Sequence, residues 1–229
     1  MAAKLIQTNQ TPFERKELDP ITLDIIENAL KNARFEMDAV LFRTAMSPGI
    51  REQHDAFPMI ANCEGKMVVG QFGSFIHGFT EGYEGTIEDG DVFLMPIFKD
   101  GRLIAWASMF GHMTDIGGKV PGSLPTDARQ IYEEGIVVPP TKIYRNHELQ
   151  SDILRIILHN CRLPHWNRSD FNAIIAACRL AAKRCGELAD RFGDDEFYSA
   201  MDELLERNKR AMAQLIANTI PEQKQYFED

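Results

Sequence analysis

The chain has 229 residues, 44% hydrophobic and 26% charged, which suits one large or two small globular domains with a substantial core. Its net charge of -9 argues against partners recognised by neutralising phosphate, whether nucleic acid or an anionic membrane surface. Cys63, Cys161, Cys178 and Cys185 form no Cys-x-x-Cys pair, the start carries no signal-peptide pattern, and no stretch has the length of a membrane span, so free thiols in a cytoplasmic protein are expected.

Residues 1–18 are polar and mixed in charge, and read as an arm that is loosely ordered or docked on a partner. Asp19-Pro20 opens a helix, with the acid as cap and proline at the first helical position. Leu23, Ile26, Leu30, Ala33, Met37, Val40 and Thr44 then recur at spacings of three and four and predict one apolar face. Ser47-Pro48-Gly49 is expected to end the helix.

A β-rich region follows. Ala56 to Ala61 and Lys66 to Phe72 flank a plausible hairpin loop at Asn62–Gly65. Val92 to Met95 reads as a strand, and Asp100-Gly101 is a tight-hairpin signal. Leu103 to Phe110 is apolar on both faces, as a central covered strand is. Pro96 sits badly in this pattern, because it falls inside an apolar run and cannot donate to a strand ladder. The last third is helical. Leu149 to Asn160 is short and amphipathic, and Ser169 or Asp170 is expected to cap a longer helix that reaches Phe192 and ends at Gly193. Ala173, Ala176, Ala177, Ala181 and Ala182 would allow close packing there. Asp194 or Asp195 would cap a third helix carrying Phe197, Met201, Leu204, Leu205, Met212, Leu215 and Ile216, which stops by Pro221.

The strongest chemical signal lies where the central strand ends. His112 and Asp115 stand three residues apart and run into a loop rich in glycine and proline, with Gly117, Gly118 and Gly122 placed to turn the backbone tightly. Imidazole and carboxylate are common metal ligands and proton carriers. A solvated turn, with Asp115 bonded to backbone amides, is the plainer alternative, and the spacing leaves both open. His77, after an apolar hairpin, is a second candidate whose alternative is a buried, hydrogen-bonded ring, whereas His54-Asp55 reads as a solvated charged loop. No P-loop, dinucleotide fingerprint or nucleophile elbow is present, so the chain shows no nucleotide site of its own.

The tract from Gly111 to Ala128 also resembles the B-type subunit of the hydantoinase, 5-oxoprolinase and acetone/acetophenone carboxylase family. Asp19-Pro20-Ile21-Thr22-Leu23, Arg43-Thr44-Ala45-x-Ser47-Pro48, Asp91-Val92-Phe93-Leu94, Pro139-Pro140-x-Lys142-Ile143-Tyr144, Arg162-x-Pro164 and Arg168-x-Asp170 carry the same likeness, in order, from Asp19 to about Ala213. The resemblance implies a subunit of an ATP-dependent carboxylase or cyclic amide hydrolase. ATP would be bound by an A-type partner in a hetero-oligomer, and a divalent metal (zinc, manganese or iron) would be held in part by His112, with Asp115 and His77 as supporting groups. The single histidine before Met113 leans the reading toward ketone carboxylation over hydantoin or lactam hydrolysis. Family members carry additional residues, including a His-x-x-Asp metal element, between the positions matching Met95 and Pro96, and continue beyond the position matching Asp229. Their absence here supports an alternative, a non-catalytic assembly module of such a complex. The expected fold is α+β, with a long N-terminal helix, a central antiparallel or mixed sheet and a C-terminal helical region, all within one unit over residues 19–229.

Overall fold

A computed structural model describes residues 13–70 and 91–220. Its architecture is α+β, with five helices and two small sheets among the described residues. Helix α1 (Pro20–Thr44) starts where the cap chemistry places it: the Asp19 carboxylate accepts from the amides of Ile21 and Thr22, each at 3.0 Å. Leu23, Ile26, Leu30, Ala33 and Met37 are buried as expected. The stripe then steps to Leu41, leaving Val40 half-buried and Thr44 exposed. The helix stops at Thr44, and Pro48–Arg51 forms a separate turn, α2.

Four strands, β1 (Ala56–Asn62), β2 (Met67–Gly70), β3 (Asp91–Lys99) and β4 (Arg102–Gly111), form an antiparallel sheet in the order β2-β1-β4-β3. β4 is central, as its two apolar faces required. Pro96 lies in an unbroken β3 and pairs with Trp106. It is tolerated because, among the described residues, β3 is an edge strand with β4 as its one neighbour. Asp100 (φ 49°) and Gly101 (φ 77°) make the two-residue turn between β3 and β4, with both residues left-handed as a twisted hairpin demands. A Cβ at Gly101 would meet no atom within 4 Å, so Gly101→Ala tests conformation alone. Urea unfolding should show a loss of about 1 kcal/mol, the left-handed strain less the entropy lost from the unfolded chain.

One face of the sheet is covered by α1, α4 (Pro164–Phe192) and α5 (Asp194–Thr219); Ile60, Ile97, Ile104, Ala107 and Met109 meet Leu30, Met37, Ile174 and Phe197 in the main core. A smaller cluster joins α3 (Ser151–His159) to α4 through Leu154, Leu158, Phe171 and Ile175. A short hairpin, β5 (Tyr144–Arg145) with β6 (Glu148–Leu149), precedes α3.

Two helix starts differ from expectation. α4 begins at Pro164, not at a Ser169 or Asp170 cap, because proline is preorganised for the first helical position. Asp170 is instead fully buried two turns in, where its carboxylate serves another segment. α5 is capped by Gly193, and Asp194, Asp195 and Glu196 fill its first turn, where the helix dipole favours acids. Along α5, Phe197, Met201 and Leu204 are buried, but Met212, Leu215 and Ile216 are exposed. Of the alanines on α4, Ala173, Ala177 and Ala181 are buried, Ala182 is half-buried and Ala176 is exposed.

The described part of the arm is docked on the fold. Phe13 stacks on Tyr198, the Arg102 guanidinium lies over the Phe13 ring, and the Lys16 amide donates to Ser199 Oγ at 2.8 Å. None of the four cysteines is in a disulfide, and burial pushes the Cys178 and Cys185 thiols up to about 12. No helix among the described residues is long and apolar enough to cross a membrane.

Candidate functional site

The register of two strands builds the centre of the site. β1 and β4 run antiparallel with Ala56 opposite Gly111, so the residue before β1 and the residue after β4 emerge side by side. Those residues are Asp55 and His112. The His112 amide donates to the Asp55 carbonyl at 3.4 Å, and the ring Nδ1 lies 2.5 Å from Asp55 Oδ2. The His112 ring also meets Phe110 edge-on, with centroids 4.6 Å apart. Both polar side chains stay accessible, at 47% and 38% exposure. A carboxylate at Nδ1 favours the tautomer with its proton on that nitrogen, and no side chain among the described residues hydrogen-bonds Nε2, which can then act as a base or ligand.

Sequence reasoning reached His112 but, although Asp55 matches an acid of the resembling family, read it as part of a solvated charged loop. The two are 57 residues apart, and only strand pairing joins them. The usable signal was their position at the matching ends of two strands that proved to be neighbours. His54 takes no part in this contact: its backbone is left-handed (φ 56°) and its ring stacks on Phe42 at 4.0 Å.

Asp115 is only 2% exposed and is occupied elsewhere. Its Oδ1 accepts from the amides of Gly117 and Arg162, and its Oδ2 from the Gly122 amide and the Arg162 guanidinium, all at 2.9–3.1 Å. Arg162 also donates to the carbonyls of Gly117, Gly118 and Val120. Together they shape the loop after His112. Among the described residues the polar side chain that meets the His112 ring is Asp55, and Asp115 is the loop's anchor. Burial by itself would raise the Asp115 pKa, but the amides of Gly122, Arg162 and Gly117, with the Arg162 guanidinium, outweigh it and hold the carboxyl below the usual range. Gly118 (φ 84°) is the tightest point of the turn, since a Cβ there would stand 2.6 Å from the Glu133 carbonyl oxygen.

His77 lies outside the described residues. The His112–Asp55 pair offers two donors of kinds that divalent metals take. No group of three or more His, Cys, Asp or Glu side chains placed to hold a metal occurs among the described residues, so they do not assemble a complete ligand set.

A family model for hydantoinase B/oxoprolinase matches residues 19–95 and 83–229. The chain belongs to this family. The two matched segments overlap at 83–95, beside the Met95–Pro96 junction, through which β3 runs uninterrupted. Among relatives, the caprolactamase subunit beta of Pseudomonas jessenii is 31% identical over 87% of this chain and 39% of its own length. The acetophenone carboxylase delta subunit of Aromatoleum aromaticum is 25% identical over 71% of this chain and 28% of its own. The crystal structure of the ATP-dependent caprolactamase from Pseudomonas jessenii superimposes with a TM-score of 0.79 and 27% identity, over 93% of this chain and 42% of that one. The chain thus spans less than half the length of these relatives.

Proposed function

We propose that this chain acts as the B-type component of an ATP-dependent enzyme that opens a cyclic amide. The observation that carries the reading is the His112–Asp55 pair, an accessible imidazole whose Nδ1 is held by a carboxylate and whose Nε2 has no hydrogen-bond partner among the described residues. The 31% identity to a caprolactamase subunit favours a lactam-like ring as substrate. An A-type partner would bind ATP and phosphorylate the ring carbonyl oxygen, since this chain has no nucleotide motif. His112 would then take a proton from water at Nε2 as the water adds to the activated carbonyl carbon, and Asp55 would stabilise the imidazolium formed. The adduct then breaks the ring C–N bond, with the imidazolium returning its proton to the leaving nitrogen, and a second water hydrolyses the acyl phosphate left behind to carboxylate and phosphate. Asp115 and Arg162 act by holding the loop beyond His112 in shape, and His77 remains a candidate supporting group. A divalent metal with His112 as one ligand would polarise a carbonyl oxygen, and it would need donors beyond this pair. Free thiols and dependence on ATP suit the cytoplasm.

A second reading, carboxylation of a ketone, is favoured by one feature. Met113 follows His112 where a second histidine would suit the amide hydrolases, and it packs against the core. The test is reconstitution with an ATP-hydrolysing A-type partner. ATP-dependent ring opening of a lactam or hydantoin is the expected product. Fixation of labelled bicarbonate onto acetone or acetophenone would replace this reading with the second. ATP turnover by the partner with neither product would make the chain an assembly module.

A further inference from the structure

The proposed site is framed by a buried pair that takes no direct part in it. Ser47 and Asp170 are both 0% exposed, 123 residues apart in sequence, one just before α2 and the other inside α4. Asp170 Oδ1 accepts from the amides of Met46 (2.6 Å) and Ser47 (3.1 Å), while Oδ2 accepts from the Ser47 hydroxyl at 2.5 Å. The same Ser47 oxygen accepts from the Thr114 amide at 2.9 Å. Thr114 lies two residues beyond His112.

From Ser47 the contacts run the other way as well. The Arg51 amide donates to the Ser47 carbonyl, and the Asp55 amide donates to the Gly49 carbonyl, both at 2.9 Å. Asp55 then meets His112 through backbone and side chain. The contacts close into a ring that passes from Ser47 through α2 to Asp55, across to His112, on to Thr114 and back to Ser47. Asp170 is the fixed point that ties this ring to α4. A hydroxyl can donate to a carboxylate and accept an amide at one atom in this way, which a methyl group cannot. Alanine at 47 would leave the Thr114 amide and one Asp170 oxygen without partners. Asparagine at 170 would turn one acceptor into a donor and leave the Ser47 proton unplaced.

We infer that Ser47 and Asp170 are positioning residues that set the relative placement of His112 and Asp55. This rests on the reading of that pair as the reactive site. A displacement of about 1 Å at a reacting group can cost on the order of a hundredfold in rate, which is the scale at which such a ring would matter.

The test reads position and turnover separately. In the isotope-labelled 229-residue chain, the ring nitrogen signals of His112 are recorded by NMR beside those of His147, His159 and His165, for Ser47→Ala, Asp170→Asn and Ser47→Thr. The expected result is that Ser47→Ala and Asp170→Asn shift the His112 signals and leave the other three in place, while Ser47→Thr, which keeps the hydroxyl, restores them. In the reconstituted complex kcat should fall by about a hundredfold with KM within a few-fold. Unmoved His112 signals in either folded variant would overturn the inference, and so would a collapse of all four histidine signals together, which would make the pair a general folding element. Shifted His112 signals with turnover unchanged would leave the placement role intact and count against the site itself.

Discussion

His112→Ala in the reconstituted complex should lower product formation by about a thousandfold, the middle of the range for a lost general base. The ring is half exposed and its carboxylate partner is open to water, so its removal strands no buried charge. Stability should therefore change by less than about 0.5 kcal/mol. ATP hydrolysis by the partner should persist and uncouple, because activation of the carbonyl precedes the step assigned to His112. The measurement is product formed per ATP consumed. A ratio and rate equal to the unmodified enzyme would remove His112 from the chemistry and leave the fold as its context. Asp55→Asn should give a smaller loss in the same direction, since an amide can still touch Nδ1 but cannot stabilise a positive ring.

Asp115→Asn carries the largest expected stability effect, about 2–4 kcal/mol. Each Asp115 oxygen faces two donors: the amides of Gly117 and Arg162 on one side, the Gly122 amide and the Arg162 guanidinium on the other. An asparagine must turn its own NH2 toward one of these pairs, and the site is too buried for water to relieve it. The Arg162 head is partly exposed, which keeps the loss below that of a fully buried ion pair. The effect has a definite pH dependence. Because the folded pKa of Asp115 is depressed, its contribution is complete above the unfolded carboxyl value of about 3.9 and fades as pH falls through the lower folded value. The gap between the two proteins in urea unfolding should be wide at pH 7 and narrow below about pH 4. A gap that stays constant with pH would show that the carboxylate charge is not what holds the loop. Loss of turnover in Asp115→Asn without loss of stability would return Asp115 to the reactive machinery.

Much of this fold is legible along the chain because it is local. The Asp19-Pro20 cap, the buried stripe of α1, the Asp100-Gly101 hairpin and the two-sided apolar run of β4 depend on neighbours within a few residues, where period and turn chemistry act directly. The family likeness was legible too, spread over motifs from Asp19 onward. His112 stood out because it ends the central strand.

Its partner did not. Asp55 reaches His112 through a strand register, and register depends on which strands become neighbours. Pro96 looked misplaced until the strand order of the described residues put β3 at an edge. Asp170 looked like a helix cap because acids often are. It became a buried anchor only when α4 began six residues earlier and packed that side against Ser47. Composition and local pattern by themselves determined the class of fold, its main elements and the strand that ends at His112. The tertiary structure alone decided what His112 meets and what holds it there, because those contacts join segments tens of residues apart and exist only once the sheet and helices have packed.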